Sequence, residues 1–285
     1  MLRAEGVEGY PTDLICQTIG IAKSSYYNRK WNPETEKEKE FREQAEKAKE
    51  LFEKNKREYG RKRLKKALNE AGVKVSEGKT RMLMKAGGLV PKRCKKYKAT
   101  TNSKHKYQVA ENLLKQDFQA EKPNEKWCGD STYIATDEGW LYAAGIIDLC
   151  DRTCVGLTFS ERHTKELMIK ALDNAKRSYR PKEGLIFHSD RGTQYASNEY
   201  KAKLKKYGMI QSMSRSGKPC DNAPMESFWS TVKLGCIEGE RFTTRKAAIK
   251  AVFEYVFGFY NNHRYHTSIG LETPKQYRER MLKTG

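Results

Sequence analysis

The chain has 285 residues, 37% of them hydrophobic and 32% charged, with a formal net charge of +20. That length suffices for two or more domains, one with a substantial core. The composition argues against a membrane or secreted protein: no apolar run approaches a membrane span, no signal peptide opens the chain, and the seven cysteines form no C-x-x-C pair. Reduced thiols in an intracellular, cytoplasmic protein are therefore expected.

In chain order, residues 13–30 (DLICQTIGIAKSSYYNRK) predict two short helices with a turn at Gly20, the spacing of a helix-turn-helix. Lys23 and Ser24 open the second of these helices and are candidate DNA contacts. Residues 33–58 form a charged helical pattern with Phe41, Ala45, Ala48, Leu51 and Phe52 recurring every three or four positions. A pattern this polar reads as a linker helix, or as a dimerising one. Residues 59–91 predict a second helix-turn-helix. GRKRLKKALNEAG ends at a glycine stop, Ser76 caps SEGKTRMLMKAGG, and Leu64, Leu68, Met82 and Leu83 would form a small core.

Charge is concentrated here. From Lys54 to Lys98 there are seventeen Lys and Arg against three acids, an excess of 14. So one-sided a block fits a polyanionic partner, nucleic acid before an anionic membrane. Arg61, Lys62, Arg63, Lys79, Arg81 and Lys85 are its candidate DNA contacts, with Lys92 and Arg93 in the basic linker that follows over 92–125. In such motifs the second helix enters the major groove.

Past residue 125 the pattern changes. KWCGDSTYIAT, GWLYAAGIIDLC and RTCVGLTFS are strand-like runs joined by turns at Asp137–Gly139 and Asp151–Arg152. A helix (about 164–179), the strand GLIFHSD, a helix (about 198–207), the strand IQSMSR and a helix carrying Glu226 follow. This order predicts an α/β fold, a mixed five-stranded sheet flanked by helices, over 126–240. Over 241–285 a last helix, about 244–262, leads into a tail expected to wrap the core.

Three acids stand out in this half. Asp130 lies within the first strand, Asp190 ends the fourth, and Glu226 opens a helix beside Met225, Phe228, Trp229 and Val232. Each has an ordinary reading: a turn cap, a partner for Arg191, a first-turn acid suiting the helix dipole. Asp148 and Asp151 compete with them near the second turn. Taken together, Asp130, Asp190 and Glu226 suit hard divalent cations, because crowded carboxylates repel unless a cation neutralises them. Two ions roughly 4 Å apart can drive an in-line phosphoryl displacement.

Asp130, then HSD ending at Asp190, then Glu226 after thirty-five intervening residues with Lys233 seven beyond, resembles the retroviral-integrase superfamily of DDE transposases and integrases. The runs WCGDSTYI, DLCDRTCVG, FHSDRGTQY, DNAPMESFWSTVK and YNNHRYHTSIGLETPKQY resemble, more narrowly, the integrase-core (OrfB) protein of copy-out, paste-in bacterial insertion sequences. SSYYNRK and YGRKRLKKALNEAG look like that family's DNA-binding region, so the resemblance covers nearly the whole chain.

The resemblance implies an RNase H-like core in a bacterial, nucleoid-associated protein. It implies that Asp130, Asp190 and Glu226 hold two Mg2+ or Mn2+ ions and that Lys233 contacts DNA near the reacting phosphate. Gln194 and Asn222 would lie at the edge of the site. His188 would support it or simply pack. The reaction implied is hydrolysis at an element end to free a 3′-OH, which then attacks another phosphodiester with no covalent protein–DNA intermediate. Terminal inverted repeats and target DNA would be the substrates, and a homodimer or higher assembly would bring two ends together. An OrfA-type partner, or fusion to one, is also implied, because a preceding frame in this family often supplies a further DNA-binding part. No His-His-Cys-Cys module precedes the core, unlike a retroviral integrase proper. Two other classes remain: an end-binding regulator inactive without the OrfA part, and an RNase H-like nuclease, which would leave the upstream DNA-binding candidates unexplained.

Overall fold

The computed structural model describes residues 10–31, 34–92 and 107–284. The chain divides into two compact units between Val90 and Pro91.

The first unit is all helical. Helices α1 (Thr12–Ile19) and α2 (Lys23–Trp31) flank Gly20, whose φ of 67° is the left-handed cap expected at that turn. Helix α3 (Glu36–Lys54) begins with a reciprocal capping box between Thr35 and Glu38. It is no free linker: Ala48 and Phe52 are fully buried, and α3 packs on α4 (Arg61–Glu70) and α5 (Glu77–Ala86). The sparse apolar stripe of α3 is thus the third wall of the basic helix-turn-helix. Ser76 caps α5, accepting from the Lys79 amide at 3.1 Å. Leu64, Leu68 and Leu83 are fully buried, but Met82 is 61% exposed. One residue is a 100° step around a helix, so Leu83 and Met82 cannot both face inward. Phe52, Tyr59, Val75 and Leu89 complete this core instead.

The second unit is a five-stranded mixed sheet in the order β3-β2-β1-β4-β5. The strands are β1 (Lys126–Thr136), β2 (Gly139–Asp148), β3 (Cys154–Ser160), β4 (Ile186–Ser189) and β5 (Ile210–Met213). The first three pair antiparallel through short turns; β1–β4 and β4–β5 are parallel. Those parallel pairs need crossovers, supplied by α6 (Lys165–Tyr179) before β4, then α7 (Thr193–Ala196) and α8 (Asn198–Lys206) before β5. Trp127, Ile146, Leu172, Phe187 and Tyr200 centre the core beneath α6 and α8.

Helix α9 (Ala223–Cys236) packs on β1 and is followed by α10 (Arg245–Phe253). The predicted helix over 244–262 does not stay regular. It widens into a π-helix over Glu254–Tyr260, which buries Tyr255, Val256, Phe259 and Tyr260 together.

Beyond this, the tail is more structured than a wrap. Asn261 mimics a strand partner for Cys154, accepting from its amide at 3.0 Å and donating to its carbonyl at 3.1 Å. A 3-10 turn (Thr267–Ile269) and α11 (Pro274–Thr284) complete the chain. Among the described residues, no helix is long and apolar enough to cross a membrane.

Candidate active site

The sheet register brings two distant acids together. Cys128 pairs with His188 and Gly129 with Ser189 across the parallel strands. Continuing that register by one residue sets Asp130 beside Asp190, on strands about 4.8 Å apart. Asp190 lies just past β4, where its Oδ1 accepts the Gly192 amide at 2.9 Å, an Asx turn that aims the carboxylate and starts α7. Arg191 turns away to donate Nε to the Ser214 carbonyl at 2.6 Å.

Helix α9 reaches this point because β2 has a glycine there. Gly145 is the register partner of Asp130. A Cβ on Gly145 would lie 2.8 Å from Trp229 Cζ2 and 3.2 Å from Phe228 Cε1. The two aromatics beside Glu226 therefore key its helix onto the sheet next to Asp130. On the other face a Cβ on Gly129 would meet the Phe187 ring at 2.6 Å, with the Tyr195 hydroxyl behind it at 3.4 Å.

The electrostatics agree with the register. Burial, then the charge of Asp190, then that of Glu226 hold the Asp130 carboxyl well above the usual range, against a downward pull from Lys233. Burial also raises the carboxyl of Glu226 and lowers the ammonium of Lys233, which Asp130 pushes back up. Glu226 sits in the exposed first turn of α9. As the side chains lie, no group of three His, Cys, Asp or Glu among the described residues makes a ready coordination cage. The donor set nonetheless fits a hard cation: the charges of Asp190 and Glu226 both bear on the buried Asp130 carboxyl, a conflict that a divalent ion removes.

The supporting candidates divide. Gln194 donates Nε2 toward both Nδ1 and the carbonyl of His163, each at 3.3 Å. Asn222 makes a long 3.5 Å contact to the Gly129 carbonyl beside Asp130, and its Oδ1 is buried without a hydrogen-bond partner. His188 is fully buried, with its ring nitrogens on Ser212 (2.8 Å) and Ser214 (3.2 Å), and burial drops its pKa to about 4. It ties β4 to β5, the packing alternative of its two readings. The competitors Asp148 and Asp151 are buried together on Arg278 of α11, at 3.4 and 2.8 Å.

Two neighbours went unnoticed in the sequence. His163 Nε2 lies 2.8 Å from the Ser131 hydroxyl, and burial lowers its pKa while the Asp190 charge raises it. Tyr195 is buried, with its hydroxyl raised by burial first and then, among other charges, by Asp130 and Asp190. Tyr195 stands inside FHSDRGTQY, so proximity to Asp190 was a usable signal; His163 had none, since only the fold carries the loop before α6 to β1.

Of the basic candidates, Lys23 pairs with Asp13 (2.5 Å), Arg61 with Glu77 (3.1 Å) and Lys79 with Glu40 (3.5 Å). Ser24, Lys62, Arg81, Lys85 and Lys92 are exposed and Arg63 is half-buried. Arg93 lies outside the described residues.

Known families match along the chain: an HTH-like domain over residues 39–97 and integrase core domains over 120–219 and 207–274. An uncharacterized 31 kDa protein of insertion element IS600 from Shigella sonnei is 43% identical over 269 residues, covering 93% of this chain and 98% of the relative. The transposase InsF of insertion sequence IS3A from Escherichia coli K12 is 36% identical over 272 residues, covering 94% of each. Among solved structures, the catalytic core domain of HTLV-2 integrase in complex with magnesium is 16% identical with a TM-score of 0.41, covering 55% of this chain and 97% of that one. Relatives this similar over almost their whole length carry the conclusion: the chain belongs to the integrase-core transposases of insertion sequences, the family of the IS3 InsF proteins, and is a DDE-type DNA transposase.

Proposed function

We propose that Asp130, Asp190 and Glu226 are the catalytic carboxylates of this transposase and hold its divalent cations, Mg2+ or Mn2+. The observation that carries this reading is the juxtaposition of Asp130 and Asp190 by the β1–β4 register, with the charges of Asp190 and Glu226 raising the Asp130 carboxyl. Bound ions would supply Lewis-acid polarisation of the scissile phosphate and of the attacking oxygen. The chain's own part is positional. Asp130 and Asp190 present oxygen donors from adjacent strands, and Glu226 adds a third by turning inward from the first turn of α9. Lys233, two turns further along, offers a cation to the phosphate next to the reacting bond. Water attacks the phosphodiester at the element end, leaving a 3′-OH on the element and a 5′-phosphate on the flanking strand; that 3′-OH then attacks another phosphodiester and displaces its 3′ oxygen. No side-chain nucleophile is needed.

The substrates we infer are duplex terminal repeats and target DNA, bound by at least two copies of the chain and by an OrfA-type partner or fused part. Arg61, Lys62, Arg63, Lys79, Arg81 and Lys85 of the basic helix-turn-helix supply phosphate contacts.

The test uses purified chain, element-end DNA and Mn2+. Asp130→Asn, Asp190→Asn and Glu226→Gln should each abolish nicking and joining while end binding persists. Wild-type strand transfer by Glu226→Gln would remove it from the site.

A further inference from the structure

Two large aromatics stand open side by side on the β1–β2 hairpin, Tyr133 at 41% and Trp140 at 51% exposure, and contiguous exposed apolar surface marks interaction sites. Ser131 pairs with Ala144, Tyr133 with Tyr142 and Ala135 with Trp140. Strand alternation puts all six on one face. The Tyr133 and Trp140 rings meet edge to face at 5.1 Å. Beside them His163 stacks on Tyr142, with centroids 5.2 Å apart and planes 14° from parallel. His163 also touches Ser131 at 2.8 Å and Gln194 at 3.3 Å, four residues beyond Asp190. Two ring pairs, Trp140–Tyr133 and Tyr142–His163, thus share this face, and His163 leads from the hairpin to Gln194 near Asp190. The Lys233 ammonium lies 5.5 Å from the Tyr133 ring centre.

We infer that this hairpin face is a stacking platform for unpaired bases of the reacting DNA strand. The inference rests on the proposed action at DNA ends and names the part of the substrate held there. Exposed ring faces bind the π faces of bases, and in a duplex those faces are covered by neighbouring pairs. Aromatics interleaved with cations beside a phosphate-cutting site therefore suit a frayed or displaced single strand rather than duplex.

Charge favours this occupant over a second copy of the chain. The acids nearby are engaged: Asp137 by Arg241 at 3.2 Å, Glu161 by Arg245 at 3.1 Å, and Glu138 by the Arg245 amide at 2.8 Å. Lys233 and the exposed Arg162 border these rings in a chain of net charge +20, so two such faces would meet as like charges.

The experiment titrates full-length chain into a duplex with a short unpaired 3′ tail carrying 2-aminopurine, and into the blunt duplex. Wild type should quench the tail's fluorescence and prefer the tailed DNA. Trp140→Ala and Tyr133→Ala should each lose about tenfold in affinity for the tail while blunt binding stays within about twofold, and Trp140→Phe should restore quenching. Trp140→Leu keeps apolar bulk without a ring and guards against a folding artefact. Undiminished quenching by Trp140→Leu overturns the platform, as do equal losses on tailed and blunt DNA, or altered self-association with tail affinity intact. Failure of the catalytic reading shows separately, as absence of Mn2+-dependent nicking by wild type.

Discussion

Gly145 shows how one missing side chain sets the site. In the sequence it is one of twenty-one glycines, in the middle of an apolar run. In the fold it is the opening through which Trp229 and Phe228 reach the sheet opposite Asp130. Gly145→Ala places a Cβ 2.8 Å from a buried indole. Overpacking of this kind costs about 1–3 kcal/mol, read as a lowered denaturation midpoint. Because the displaced helix carries Glu226, nicking should fall further than stability alone explains. Normal nicking by a destabilised Gly145→Ala would separate α9 placement from catalysis. Asp130, Asp190 and Glu226 were legible as candidates, through the motifs and spacing of the family resemblance. Their mutual influence was not, since it depends on which strands are neighbours. Asp221 illustrates the opposite case. Within DNAPMESFWSTVK nothing local marks it as buried. It proves to be a buried hub gripped by both Nε and Nη2 of Arg215 at 2.9 Å, and by Asn112 and Gln116, with its carboxyl held far below the usual range by Arg215.

Among the elements, α11 carries a share of stability that its polar composition conceals. Arg278 reaches from it to Asp148 and Asp151, both fully buried, donates to Asn124 at 2.9 Å and lies over the Tyr179 ring at 4.5 Å. Removing the guanidinium leaves two buried carboxylates facing each other, both already raised by burial. Arg278→Ala should therefore cost about 3–5 kcal/mol, measured by urea unfolding. An unchanged midpoint would mean that water replaces the arginine. The pattern of RERMLKT is that of any solvated helix, and nothing local announces that one of its cations is buried. The helix α3 misled in the same way: its few apolar residues suffice because α4 and α5 already close most of the small core.

For the whole molecule the decisive quantity is charge. The excess of 14 between Lys54 and Lys98 covers α4, α5 and the residues after them. If about 6 phosphates are neutralised, the logarithm of the DNA association constant should fall against the logarithm of salt concentration with a slope near −5. Charge reversals at Lys62, Arg81 and Lys85 should each flatten that slope by about one unit, whatever the DNA sequence. A slope near zero would contradict phosphate contact by this block.

Composition, caps and periodicity are local properties, and they suffice for the helical first unit and the strand-rich second unit; the three acids became candidates only through the motif spacing of the family resemblance. Ser76 caps and Gly20 turns for reasons contained within four residues. The meeting of Asp130 with Asp190, the entry of Glu226 over Gly145, the burial of Arg278 and the placing of Trp140 and His163 on one face depend instead on hydrogen-bond register and sheet order. Those join residues from 23 to 130 positions apart, whose proximity exists only once the chain has folded.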